Sequence, residues 1–257
     1  MLPEGVVVSS RQLLASTYSR QLVLKYVTGG WLVRLSRGAY RRPGPPLKWE
    51  NIAYSVQQMN LPFHPGGETA LGLLGRAHQL PVSGHQTVHI YGSAKLPLWT
   101  AKAVPSVRFR HHAEELFDEP PPFWCRSQGS TLIGDPSWEP YRWGPWDWNI
   151  YISSPERAWL EFLQAVPAKA GFDEADELAS GLRTLRPKLM EALLERCNSF
   201  KVKRLAFWLG ERHHHAWVSK INRGSISLGR GKRSLTPGGR LIKGYNITVP
   251  RHLANDV

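Results

Sequence analysis

The chain opens with a strand-length apolar run, Val6-Val7-Val8, β-branched throughout and followed by Ser9-Ser10. Serine in that position accepts backbone N–H bonds and starts a helix. The spacing predicts a short helix over Arg11–Thr17, with Leu13 and Leu14 turned inward, and a tight corner at Tyr18-Ser19. A second helix then runs from Arg20 to Val27 or Thr28, with Ser19 as its N-cap. In it Leu22, Val23, Tyr26 and Val27 recur at three- and four-residue intervals, which marks one buried face. Gly29-Gly30 stops the helix, because glycine takes a left-handed C-terminal conformation at little cost. Trp31–Leu35 and Ala39–Arg42 read as two short strands joined by Ser36-Arg37-Gly38. Pro43-Gly44-Pro45-Pro46 is a stiff breaker.

Beyond the breaker the pattern mixes both periods. Trp49–Met59 is an amphipathic helix, and Gly66-Gly67-Glu68 opens another that reaches Leu74. Thr87–Tyr91, Ser106–Arg110 and Asn149–Ile152 are strand-like. Residues 118–149 are rich in Pro, Trp and Gly, with Pro120-Pro121-Pro122 and tryptophans at 124, 138, 143, 146 and 148. Ser153 and Glu156 form a capping-box pair with Pro155 in the first turn, so a helix starts there and carries Trp159, Leu160, Phe162 and Leu163 inward. Further helix is expected from Phe172 to about Leu209, with one break near Arg186-Pro187. The tail from Ile226 is rich in Gly, Lys and Arg and ends in a strand-like Tyr245–Val249. The expected fold class is α+β: a helix-turn-helix with a wing over residues 1–44, then a larger mixed α/β domain over residues 47–257.

Charge changes this picture. The net charge is +13, and it is polarised. Residues 1–44 hold seven Lys/Arg against one acid, residues 201–257 hold twelve against two, and the middle is slightly acidic. Basic ends of this kind fit a polyanion partner such as nucleic acid. A helix-turn-helix lays one helix in the major groove, and the residues near that helix's N-terminus reach base edges. Here Tyr18, Ser19, Arg20 and Gln21 stand at that end, with Lys25 one turn on. Arg can bind guanine and Gln adenine with paired bonds. The hairpin adds Arg34, Arg37, Arg41 and Arg42, suited to a phosphate ridge or a narrow minor groove. These nine residues are the candidate contacts to double-stranded DNA.

Other chemistries find less support. Three adjacent histidines, His213-His214-His215, point in different directions on a helix and chelate one ion poorly, and His111-His112 does no better. Neither Cys125 nor Cys197 has a second cysteine at ligand spacing. The tryptophans of 124–148 suit packing of a Pro-rich segment better than base stacking. No Lys has an acid two positions before it, as a restriction-type nuclease site would require, and neither a P-loop nor Gly-x-Ser-x-Gly occurs. The chain is therefore expected not to be an enzyme and to need no metal or cofactor. No apolar run is long enough for a membrane span, the first residues lack a leader pattern, and two distant cysteines suit a reducing compartment, so the expected location is cytoplasmic.

Tyr18-Ser19-Arg20-Gln21-Leu22-Val23 and the run Gly30-Trp31-Leu32-Val33-Arg34-Leu35-Ser36-Arg37-Gly38-Ala39-Tyr40, in the pattern G-W-L-x-R-L-x-R-G-x-Y, resemble the N-terminal domain of AbiEi-family antitoxins. Gly67-Glu68-Thr69-Ala70 and Ser154-Pro155-Glu156-Arg157-Ala158 extend the resemblance more loosely into the second domain. Such antitoxins belong to bacterial type IV toxin–antitoxin, or abortive infection, systems. The resemblance implies a repressor of its own operon, acting on operator DNA, whose C-terminal domain opposes a nucleotidyltransferase-type toxin encoded by the neighbouring gene. Two other functions remain open on the residues alone: a plain transcriptional regulator whose C-terminal domain senses a ligand, and a DNA-processing enzyme.

Overall fold

Residues 2–76, 86–113, 116–117, 135–144 and 148–254 are described by a computed structural model. The first unit consists of β1 (Val7–Ser9), α1 (Ser10–Ala15), α2 (Arg20–Thr28), β2 (Val33–Ser36) and β3 (Ala39–Arg41). The three strands form an antiparallel sheet in the order β1-β3-β2. Ser9 caps α1 in a reciprocal box with Gln12, and Ser19 Oγ accepts the Leu22 N–H at 3.1 Å to start α2. A small core of Val6, Val8, Leu13, Val23 and Leu32 closes between helices and sheet. Helix α1 ends at Ala15, two residues before the expected Thr17, which takes a positive φ of 70° in the corner. Leu13 is buried as expected, whereas Leu14 is 42 % exposed. Successive residues on a helix stand about 100° apart, and the small core closes over Leu13 while Leu14 falls beyond its edge.

The Pro43–Pro46 segment carries no regular element, yet the chain does not part there. Helix α3 (Trp49–Gln58) lies against β1. Val7 N–H donates to Ser55 Oγ at 2.9 Å, Asn51 Nδ2 to the Gly5 carbonyl at 2.8 Å, and Gln12 Nε2 to the Gln58 carbonyl at 2.9 Å. Val7 and Ala39 belong to the large core that α3 helps to build, while Val6 and Val8 belong to the small one.

The larger part continues with β4 (His64–Pro65), α4 (Gly67–Leu73), β5 (Gln86–Tyr91), α5 (Trp99–Ala103) and β6 (Val107–His112). β5 pairs antiparallel with β4 and parallel with β6, the crossover being carried by α5. β7 (Trp138–Trp143) and β8 (Trp148–Ser153) form an antiparallel hairpin, although only β8 was evident from periodicity. Trp138 is buried, and Trp148 stacks on Tyr54 at 4.7 Å; both pack as expected. Trp124, Trp146, Cys125 and Pro120–Pro122 lie outside the described residues.

Five helices follow: α6 (Pro155–Ala165), α7 (Phe172–Gly181), α8 (Pro187–Arg196), α9 (Phe200–Arg212) and α10 (Ala216–Lys220). The expected break at Pro187 is present, and a second occurs at Cys197–Ser199, where Ser199 Oγ accepts the Val202 N–H and recaps the chain. Val202, Leu205, Phe207, Trp208 and Leu209 on α9 are fully buried. The tail folds into β9 (Arg233–Ser234), β10 (Arg240–Ile242) and β11 (Ile247–Val249), with β11 central. The Arg204 guanidinium, itself buried, donates to the carbonyls of Leu228, Gly231 and Asn246 and pins this tail to α9.

At the centre of the larger part lies the buried carboxylate of Glu161 on α6. His64 Nε2 (2.9 Å) and Arg157 Nε (3.0 Å) meet Oε1; Ser153 Oγ (2.8 Å) and the Gly67 N–H (3.0 Å) donate to Oε2. Ser153 was expected to cap α6, but its hydroxyl is spent on Glu161, and Ser154 Oγ accepts the Arg157 N–H instead. Gly67 has φ +52°, and a Cβ on Gly66 would overlap Oε2, so the glycine pair is what lets the backbone reach the carboxylate. Burial opposes ionisation of Glu161, but His64, Arg157 and Ser153 outweigh it and hold the carboxyl below its usual range. His64 is pushed down by burial and donates as the neutral ring.

Two predictions follow from these contacts. Ser55→Ala leaves the buried Val7 N–H without a partner and should cost about 1–3 kcal/mol of stability. Leu14→Ala, on the exposed side of α1, should stay within about 0.5 kcal/mol in the same chemical denaturation series. The second concerns pH. Burial pushes both His89 and His112 down to about 4 from 6.5. The unfolded chain therefore binds more protons between those values, and stability falls as the pH drops through that window. Denaturant midpoints should decline from about pH 6.5 toward about pH 4, and His112→Phe, which keeps a ring against Tyr91 but takes no proton, should flatten the decline.

Candidate nucleic-acid interface

The candidate interface is built from one helix and one hairpin. Val23 anchors the inner face of α2, with Leu22, Tyr26 and Val27 half-buried beside it. The opposite face presents Arg20, Gln21, Leu24, Lys25 and Thr28, all exposed, at the i, i+1, i+4, i+5, i+8 spacing of a single stripe. Ser19 spends its side chain on the cap, so its free contribution there is small. Tyr18 is half-buried with its ring edge-on to Tyr26 at 6.1 Å, and it braces the start of α2 from beneath.

The hairpin β2–β3 turns at Arg37-Gly38, where Gly38 has φ +82° and its carbonyl accepts the Ser10 N–H at 2.9 Å. The tip is thus tied to the first turn of α1. Between α2 and the hairpin lies a groove of about 490 Å³ lined by Leu14, Arg20, Leu24, Arg34 and Arg37 among others. Three sequence-predicted arginines from two elements therefore converge on one cleft. Arg34 Nε also reaches the Ser36 carbonyl at 3.4 Å, a long bond that leaves the guanidinium exposed.

Arg41 and Arg42 sit differently. Arg41 is the register partner of Val7 and Val33, away from the tip, and its Nη1 donates to the Pro45 carbonyl at 2.8 Å. Arg42 Nη1 donates to the Leu2 carbonyl at 3.1 Å. Both are half-buried and hold down the N-terminus and the Pro segment. The residue that the sequence reading passed over is Leu24, 65 % exposed in the middle of the presented stripe. Leu14, Trp31 and Val33 are exposed in the same unit. The signal for Leu24 lies in its spacing: it stands one turn from Arg20 and one turn from Thr28 and so shares their face.

The histidine triplet lies in the turn between α9 and α10 and not on a helix as expected, and its members part from one another. His213 Nε2 bonds Asp176 at 2.8 Å, His214 is exposed with φ +51°, and His215 accepts from Trp217 Nε1 at 3.2 Å. Among the described residues no helix is long and apolar enough to cross a membrane.

This arrangement can be set beside known proteins. The family model described as "Transcriptional regulator, AbiEi antitoxin N-terminal domain" matches residues 1–82, and that described as "Transcriptional regulator, AbiEi antitoxin, Type IV TA system" matches residues 85–250. The first of these spans α3 and α4 as well as the winged unit. No curated protein matches the chain. Among solved structures, the crystal structure of the RV2827C protein from Mycobacterium tuberculosis is similar at 16 % identity, covering 94 % of this chain and 85 % of that one, with a TM-score of 0.49. The two family models leave only residues 83–84 and the last seven unmatched, and on that evidence the chain belongs to the AbiEi antitoxins, transcriptional regulators of type IV toxin–antitoxin systems.

Proposed function

We propose that the protein represses its own operon by binding double-stranded operator DNA through the winged unit of residues 1–44. The C-terminal part, residues 47–257, neutralises a nucleotidyltransferase-type toxin encoded by the neighbouring gene. Helix α2 lies in the major groove with Arg20 and Gln21 on base edges and Lys25 alongside, and the hairpin tip follows the adjacent backbone. The observation that carries this reading is the exposed stripe of α2 beside a cleft on which Arg20, Arg34 and Arg37 converge. Family membership supports the antitoxin role. The protein acts by binding, without catalysis or a cofactor, in the cytoplasm.

The two roles are separated by surface rather than by a cut in the chain, since β1 and α3 share a core. The double variant Arg20→Ala, Gln21→Ala should lose discrimination between the upstream region of its own gene and random DNA, by about 1–3 kcal/mol per lost bidentate contact. In cells it should lose promoter repression while still rescuing growth against the neighbouring toxin gene. Equal weakening on both DNAs in gel shifts would show that these side chains touch only phosphate. Failure of a folded variant to rescue growth would refute the separation of roles.

The hairpin has its own signature. Arg34→Ala and Arg37→Ala together should weaken both DNAs alike and reduce the slope of log affinity against log salt by about 0.9 per lost phosphate contact. Arg41→Ala and Arg42→Ala should move that slope less, because their guanidinium groups are engaged by main-chain carbonyls. The reverse order would place the base of the hairpin, and not its tip, on the backbone.

A further inference from the structure

The exposed stripe of α2 contains one residue that the charge of the winged unit does not explain. Leu24 is 65 % exposed at the centre of the stripe, one turn after Arg20 and one turn before Thr28. Single exposed leucines are ordinary on protein surfaces, so exposure alone assigns it nothing. Its surroundings are more specific. Leu24 lines the cleft of about 490 Å³ together with Leu14, Arg20, Arg34 and Arg37. No acidic side chain among the described residues lines that cleft, and the single acid of residues 1–44, Glu4, lies beside Gly44. Thr28 donates its hydroxyl to the carbonyls of Leu24 and Lys25, at 3.2 and 3.1 Å, and so has no proton to spare for a base. The stripe therefore presents the donors of Arg20, Gln21 and Lys25 around an apolar centre. A complementary partner is anionic at the rim of the cleft and apolar at one point within it.

The major groove of duplex DNA offers that combination at one base only. Phosphates flank the groove. Within it guanine presents two acceptors, cytosine a donor, and adenine an acceptor with a donor; thymine alone adds an apolar group, its C5-methyl. A leucine pressed on a polar base edge strips water from it and returns no hydrogen bond, which lowers affinity. Pressed on the thymine methyl, it removes apolar surface from water on both sides of the contact. A second copy of the chain meeting this cleft with the same face would set Arg20, Arg34 and Arg37 against their own kind.

We propose that Leu24 is a specificity-determining residue of the operator contact, covering the C5-methyl of a thymine in the major groove while Arg34 and Arg37 hold the flanking phosphates. This role rests on the DNA reading proposed above. Uracil pairs as thymine does but lacks the methyl group. Binding of the full chain to the region upstream of its own gene, prepared once with thymine and once with uracil throughout, therefore tests it. The parent should bind the uracil duplex about fourfold more weakly for each methyl covered, the value of burying one group of that size. Leu24→Ala, an exposed position where truncation leaves folding intact, should bind the thymine duplex more weakly than the parent and lose nothing further on uracil. Leu24→Met, which restores an apolar side chain of similar volume, should restore the preference for thymine. Indifference of the parent to uracil would overturn the assignment. So would a uracil penalty undiminished in Leu24→Ala, because the methyl would then be felt by another residue or through duplex shape. Unchanged DNA selectivity in Leu24→Ala, with loss of growth rescue against the neighbouring toxin gene, would give the leucine to a protein partner and overturn it as well. A parent that fails to prefer the thymine-containing upstream region over random DNA would overturn the repressor reading itself, a result seen before uracil is introduced.

Discussion

An ionised carboxylate buried in a protein interior is tolerable only when its charge is matched and its lone pairs are filled. Glu161 imposes that condition on this fold, and its neighbours are arranged around meeting it. Four donors from four different segments converge on it: His64 from β4, the Gly67 amide from the start of α4, Ser153 from the end of β8, and Arg157 one turn back on α6. The requirement reaches further. A side chain on Gly66 would strike the carboxylate and one on Gly67, held at φ +52°, would strike the Tyr91 hydroxyl, and the cap of α6 shifts to Ser154 because Ser153 is committed. Arg157 is in turn sandwiched between the rings of Phe117 and Trp138, at 4.4 and 4.2 Å, which fixes the guanidinium that balances the charge. Removing Arg157 leaves the buried charge unmatched, and removing any other donor leaves one of its lone pairs unfilled.

A second constraint fixes how the DNA-facing unit is carried. β1 is only three residues long, yet alternation sends Val6 and Val8 into the small core and Val7 into the large one. The winged unit is therefore not a bead on a string. Its first strand is the wall between two cores, and the Ser55 hydroxyl inside that wall satisfies a main-chain amide that a cut at the breaker would strand. Regulation and antitoxin activity in such a chain are best distinguished by the surfaces each uses.

The basic C-terminal end shows how charge counts can mislead when read without positions. Arg204 is buried and spends its guanidinium on three carbonyls of the tail, and Lys201 spends its ammonium on two carbonyls of α6. Arg223 is paired with Glu211. Part of the charge excess that suggested a polyanion partner is thus internal scaffolding.

The sequence by itself determined the winged unit almost completely. Its helices and strands are specified by local signals: Ser9 and Ser19 as caps, the Val23 phase of α2, a Gly38 turn that requires positive φ, and short-range antiparallel pairing. Periodicity also located α3, α4, β5, β6, β8 and the first turn of α6 to within a residue or two. Tertiary structure alone decided the rest, for one physical reason: the deciding contacts join residues far apart in the chain. His64 and Glu161 are separated by 97 positions, Val7 and Ser55 by 48, and His89 and His112 by 23. Nothing local distinguishes a serine that caps a helix from one that feeds a buried carboxylate, or an arginine free to meet a phosphate from one tied to a carbonyl. Which of Arg34, Arg37, Arg41 and Arg42 remains available, and which histidines come into contact, is set only when the sheets and α6 close on one another.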